Sequence, residues 1–116
     1  MSRYASGFKA WLIQRISAVY LAFVTLYGFF YFIFYAPLNY DSWSQWVLTT
    51  PIMLGILLLI AFTLIHAWVG VRDILIDYIP HAGMRLILMS LVGMMIVVTG
   101  FWGFQILLLA KLSQQT

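Results

Sequence analysis

Apolar positions along this chain fall into three long runs divided by short polar breaks. The first extends from Leu12 to Tyr35 and is interrupted only near its start by Gln14 and Arg15; the second begins at Pro51, and the third fills Leu86 to Ala110. The runs do not alternate with period two, as half-buried strands would, and a run of about 24 residues rises roughly 36 Å as a helix, enough to cross a bilayer core. The pattern predicts an all-α membrane protein with three transmembrane helices, over about residues 12–35, 51–76 and 86–110, forming one membrane domain across 1–116.

The breaks carry their own signals. Ala36 to Trp46 is polar enough for a loop, with Pro37 ending the first helix and Trp43 and Trp46 suited to the membrane–water interface. Pro80 and Gly83 divide the second span from the third, and Lys111 with Ser113-Gln114-Gln115-Thr116 closes the last. Arg3, Lys9 and Arg15 open the first span, Arg72 and Arg85 flank the second connection, and the first connection has no basic residue. The positive-inside rule then puts the N-terminus and the second connection in the cytoplasm, and the first loop and C-terminus in the periplasm. The first run is too long for a signal-peptide core and has no small-residue cleavage site, so a retained span is expected. Gly93, Gly100 and Gly103 would allow close helix approach in the third span.

Composition narrows the classes. Of 116 residues, 65% are hydrophobic and 8% charged, too little polar surface for a soluble globule. The net charge of +3 comes from six scattered basic residues, not from the basic patch that nucleic acid requires. With no cysteine, the chain can form no disulfide, ligate no iron–sulfur cluster and attach no haem by thioether. A redox cofactor would have to be held non-covalently or by a partner.

One histidine stands where hydrocarbon should be. His66 lies six residues before Arg72, on the order of 9 Å below the interface, and Gly70, Asp73 and Asp77 follow it at four, seven and eleven residues, near one helical stripe. An ionisable group at such a depth is costly without a partner or a task. Neutral imidazole is a good axial ligand for haem iron, and Gly70 would leave room for a flat macrocycle; equally, His66 could hydrogen-bond a neighbouring helix with Gly70 as a packing notch. The residues alone leave both readings open. One such histidine cannot supply two axial ligands, and His81, beside Pro80 in a short loop, reads as a solvated residue that cannot reach the same depth.

Tyr78 and Asp77 stand where the second span leaves the membrane, either as a phenol–carboxylate pair for a quinone carbonyl or as interfacial anchors. Arg15 either pairs with a carboxylate such as a haem propionate or snorkels to the surface. The aromatics from Tyr27 to Tyr35 and Met84, Met89, Met94 and Met95 read as lipid-facing or gap-filling groups.

The string His66-Ala67-Trp68-Val69-Gly70, followed by Arg72-Asp73 and Asp77-Tyr78 on the second of three spans, resembles the small hydrophobic membrane anchor subunit of succinate dehydrogenase; Gln14-Arg15-Ile16-Ser17-Ala18 is a weaker echo. The resemblance implies a haem b shared with a cytochrome b anchor subunit, with His66 as one axial ligand, Arg15 near the propionates and Gly70 against the macrocycle. It implies ubiquinone bound near Tyr78 and Asp77, and iron–sulfur and flavoprotein subunits docked on the cytoplasmic face. The chain alone would carry no dicarboxylate chemistry, and fumarate reduction fits the same residues. The N-terminus, lacking transit-peptide character, favours a bacterial inner membrane over a mitochondrial one. A subunit of a proton-coupled transporter using Arg15, His66 and Asp73, and a haem-free structural anchor, are the alternatives from other classes.

Overall fold

The computed structural model describes residues 3–35 and 39–116. Four helices follow one another: α1 (Arg3–Tyr35), α2 (Tyr40–Val47), α3 (Thr50–Tyr78) and α4 (Ala82–Gln114). Three of them are long and apolar enough to cross a membrane, so the all-helical, three-span expectation holds. Each outruns its predicted apolar segment: α3 has 29 residues, about 43 Å of helix, against a hydrocarbon core of about 30 Å. Nothing in the flanking sequence breaks the helix where the apolar run stops.

Local chemistry sets most of the ends. Pro51 occupies the first turn of α3, where its missing N–H costs nothing. Pro80 holds Ile79 extended and so terminates that helix at Tyr78. Pro37 lies outside the described residues.

One expectation needs correction. Much of the first connection is helix α2 rather than loop, because the Asn39 side chain accepts a hydrogen bond from the Ser42 backbone N–H at 2.8 Å and Asp41 sits in the first turn. Stacking of Trp46 on Tyr31, ring centroids 4.4 Å apart, holds α2 against α1. His81 is exposed in the second connection, as expected, and in addition caps α4: its Nδ1 accepts from the Met84 N–H at 3.2 Å. Arg85 then closes the turn by donating to the carbonyls of Ile79 and Pro80.

The three long helices form an open row with α3 in the middle. Among the described residues α1 packs on one side of α3 and α4 on the other, and α1 and α4 make no contact. At the end remote from the N-terminus, the Lys111 ammonium donates to the Leu48 carbonyl at 2.7 Å and ties α4 to the end of α2. Burial among the described residues is confined to Ser17, Val47, Leu48, Val69 and Leu107. Most large apolar side chains face outward, as they do where lipid or other membrane subunits replace water.

Candidate functional site

The two sides of α3 are built differently, and only one carries chemistry. Toward α4, Gly93, Gly100 and Gly103 sit against Trp68, Leu64 and Ile60; a Cβ on Gly100 would fall 2.9 Å from Leu64 Cδ1. The glycines of the third span thus admit the close approach expected of them. Toward α1 the contacts are polar. Tyr20 donates its hydroxyl to the Gly55 carbonyl at 2.9 Å while its ring packs 4.8 Å from that of Phe62.

His66 sits on this second side, half-buried, with Nδ1 3.1 Å from Ser17 Oγ. Ser17 is wholly enclosed, and its hydroxyl donates to the Gln14 carbonyl at 2.9 Å, one turn back along α1. Both hydrogen-bonding and ligation therefore remain open to the same ring, because the bond to α1 engages Nδ1 and leaves Nε2. No hydrogen bond reaches Nε2 among the described residues.

Beside His66 a groove of about 470 Å³ runs between α1 and α3, lined by Trp11, Gln14, Arg15, Arg72 and Asp73 together with small residues of α1. Arg15 lies over the Trp11 ring, 5.7 Å from its centroid, a cation–π arrangement that leaves the guanidinium edge available. Arg72 pairs with Asp73 at 3.1 Å, both partly exposed, so the pair adds little stability. Two guanidiniums against one carboxylate give the groove a net positive lining, suited to carboxylate groups.

Gln14 packs on Gly70: a Cβ there would lie 3.6 Å from Gln14 Nε2. The amide of α1 thus borders the space beside Gly70 at ordinary contact distance. Gln14 Oε1 is buried without a partner, the one such side-chain atom among the described residues. A buried acceptor left unpaired costs about 1–3 kcal/mol, so a donor belongs in this groove.

Arg15 and His66 therefore share one groove, and Gly70 stands behind its wall. Asp77 and Tyr78 do not join them. Both are exposed at the end of α3, and Tyr78 lies twelve residues from His66, about 18 Å along the helix. Ser17 was not singled out as a site group by the sequence, whereas Asp73 already stood on the His66 stripe; the signal available for Ser17 was its position three residues after Gln14, two polar residues near one face of an apolar run.

A larger cavity of about 620 Å³ lies between α1, α2 and α3 toward the other end, bounded by Phe23, Gly28, Trp43, Trp46 and Leu59. Its walls are almost wholly hydrocarbon, with the Tyr27 phenol and Thr25 hydroxyl among their few polar groups and no histidine, carboxylate or basic side chain among the lining residues. The chemistry lies in the smaller groove.

Fold and site together define a small multi-pass helical membrane protein with one intramembrane imidazole clasped between two helices. Residues 1–101 match the succinate dehydrogenase/fumarate reductase transmembrane subunit family, and the chain belongs to it. Relatives include the succinate dehydrogenase hydrophobic membrane anchor subunit of Coxiella burnetii, 27% identical over 106 residues that cover 90% of this chain and 91% of that one. The subunit of the same name from Rickettsia felis is 30% identical over 95 residues, covering 81% and 78% of the two chains, and that of Rickettsia conorii 26% identical over 95 residues, covering 81% and 75%.

Proposed function

We propose that this chain is the small membrane-anchor subunit of a succinate:quinone oxidoreductase of the bacterial inner membrane, and that it holds one side of a haem b. In this reading His66 would hold the haem iron through Nε2, a partner cytochrome b anchor subunit would supply the other ligand, and Arg15 would pair with a propionate. The observation that carries it is the half-buried His66 ring, fixed at one nitrogen and uncommitted at the other, in a groove with a positive lining.

The donor set favours this ligand over a bare metal ion. Among the described residues no three His, Cys, Asp or Glu side chains come together, whereas a porphyrin brings four nitrogens and asks each chain for one. The groove volume of about 470 Å³ falls in the range of ligand sites. A haem bound there would supply a one-electron redox centre, while the chain binds it, orients it and excludes water around it.

Tyr78 and Asp77 form, in the same reading, part of the ubiquinone-reduction site at the cytoplasmic surface, where the iron–sulfur and flavoprotein subunits dock. The Tyr78 phenol donates a hydrogen bond to a quinone carbonyl, and Asp77 holds a proton on the water side. Their exposure at the end of α3 supports the assignment, because a docking subunit must reach the quinone there.

The test is a reduced-minus-oxidised visible spectrum of the affinity-purified complex. A b-type band in wild type, lost or altered in His66→Ala while the subunits still co-purify, is the expected result. Wild-type complex without a haem band would return His66 to packing, and the haem-free anchor, which the Ser17 contact also suits, would take its place. Tyr78→Phe should leave that band intact and lower quinone reductase kcat/KM by about tenfold, the loss of one hydrogen bond. An unchanged rate would remove Tyr78 from the site.

A further inference from the structure

We propose that Ser17 fixes the tautomer of His66, holding the ring in the Nδ1–H form so that the lone pair is on Nε2. The inference rests on the reading of His66 as a haem ligand, and within it Ser17 is a positioning residue.

The argument is a count of protons. Ser17 has one hydroxyl hydrogen and two acceptors in reach, the Gln14 carbonyl at 2.9 Å and His66 Nδ1 at 3.1 Å. If the hydrogen goes to His66, the ring must carry its own proton on Nε2; one hydrogen bond forms, and the nitrogen away from α1 cannot bind a metal. With the hydrogen on the Gln14 carbonyl instead, Oγ is free to accept from Nδ1–H. Two hydrogen bonds then form, and Nε2 carries the lone pair.

Ser17 is 0% exposed, so no water makes up the missing bond in the first arrangement. One additional hydrogen bond of ordinary worth favours the second about fivefold. The same contact opposes rotation of the ring, which would bring a carbon to Ser17 in place of Nδ1. Donation from Nδ1–H also strengthens Nε2 as a ligand, more so toward ferric than ferrous iron, and a neutral hydroxyl does this more mildly than a carboxylate. Tautomer, ring angle and donor strength are thereby set from α1, although the ligand itself stands on α3.

The experiment uses the purified complex of wild type, Ser17→Ala, Ser17→Thr and His66→Ala, read by potentiometric titration of the haem band and by the rate of haem transfer to apomyoglobin. Ser17→Ala should release haem about tenfold faster and raise its midpoint potential, by about 59 mV if the ferric-to-ferrous affinity ratio falls tenfold. Ser17→Thr, which keeps the hydroxyl, should restore both values. Should Ser17→Ala fail to assemble, Ser17→Cys keeps the volume with a poorer hydrogen-bonding group and should show the same upward shift.

Unchanged potential and release in the assembling variant, or a shift that Ser17→Thr does not reverse, would overturn the role of Ser17 and leave His66 as ligand. Haem retained unaltered in His66→Ala would overturn the ligand reading itself. The two failures are thus distinguishable.

Discussion

The two sides of α3 make an internal comparison, since they belong to one helix in one membrane. Toward α4 the contact is shape alone, with glycines at 93, 100 and 103 receiving Trp68, Leu64 and Ile60. Toward α1 it is directed, with Ser17 on His66, Tyr20 on the Gly55 carbonyl and Gln14 over Gly70. Dispersion holds helices together in lipid, whereas hydrogen bonds choose their register and rotation. His66, which in the proposed reading presents one particular nitrogen, lies on the directed side.

Substitutions can break the comparison from either side. The largest effect expected is on function: His66→Ala should abolish the haem band while the glycine-packed α3–α4 contact keeps the chain assembled. Gly100→Leu should do the reverse. With Leu64 Cδ1 already 2.9 Å from where the Cβ would stand, a branched side chain must separate the helices, at a cost of about 1–3 kcal/mol. Thermal unfolding of the purified complex should show the loss, and material that still assembles should keep its haem. A haem band lost from assembled Gly100→Leu would mean that the two sides are coupled.

Smaller changes sharpen the contrast. Tyr20→Phe removes the bond to the Gly55 carbonyl and should cost about 0.6 kcal/mol, near the average for hydrogen bonds between membrane helices. Gly100→Ala should fall below that, because the Leu64 methyl it meets can swing aside. If Gly100→Ala cost more than Tyr20→Phe in the same thermal assay, the apolar side would be the more exacting one.

Much of this was legible in the sequence because it depends on local pattern. Run length announced three spans, Pro80 placed the end of α3, and the glycines of the third span marked its packing side. The stripe from His66 through Gly70 to Asp73 and Asp77 followed from helical spacing alone. Helix α2 was legible in principle, since Asn39 and Ser42 stand at capping distance, but a short segment mixing polar residues with tryptophans between two spans read first as a loop. His81 was correctly read as solvated, but its capping role was not legible, since that depends on where α4 begins.

Ser17 was legible in no such way. Serine is common near helix ends in membranes, and the string Gln14-Arg15-Ile16-Ser17-Ala18 drew notice without any indication of its partner 49 residues away. The same holds for Gln14 on Gly70, where glycine could be seen to leave room but not for what. Pairings across the row depend on how α1 is rotated against α3. That rotation is a property of the packed pair.

The open row has a consequence for how the chain is made. Since α1 and α4 make no contact among the described residues, the groove around His66 is complete as soon as α3 has left the ribosome and settled against α1. The last third of the polypeptide adds no wall to it. In the proposed reading, translation order would let haem and a neighbouring subunit engage a chain two-thirds made, with α4 arriving later as a brace on the opposite flank.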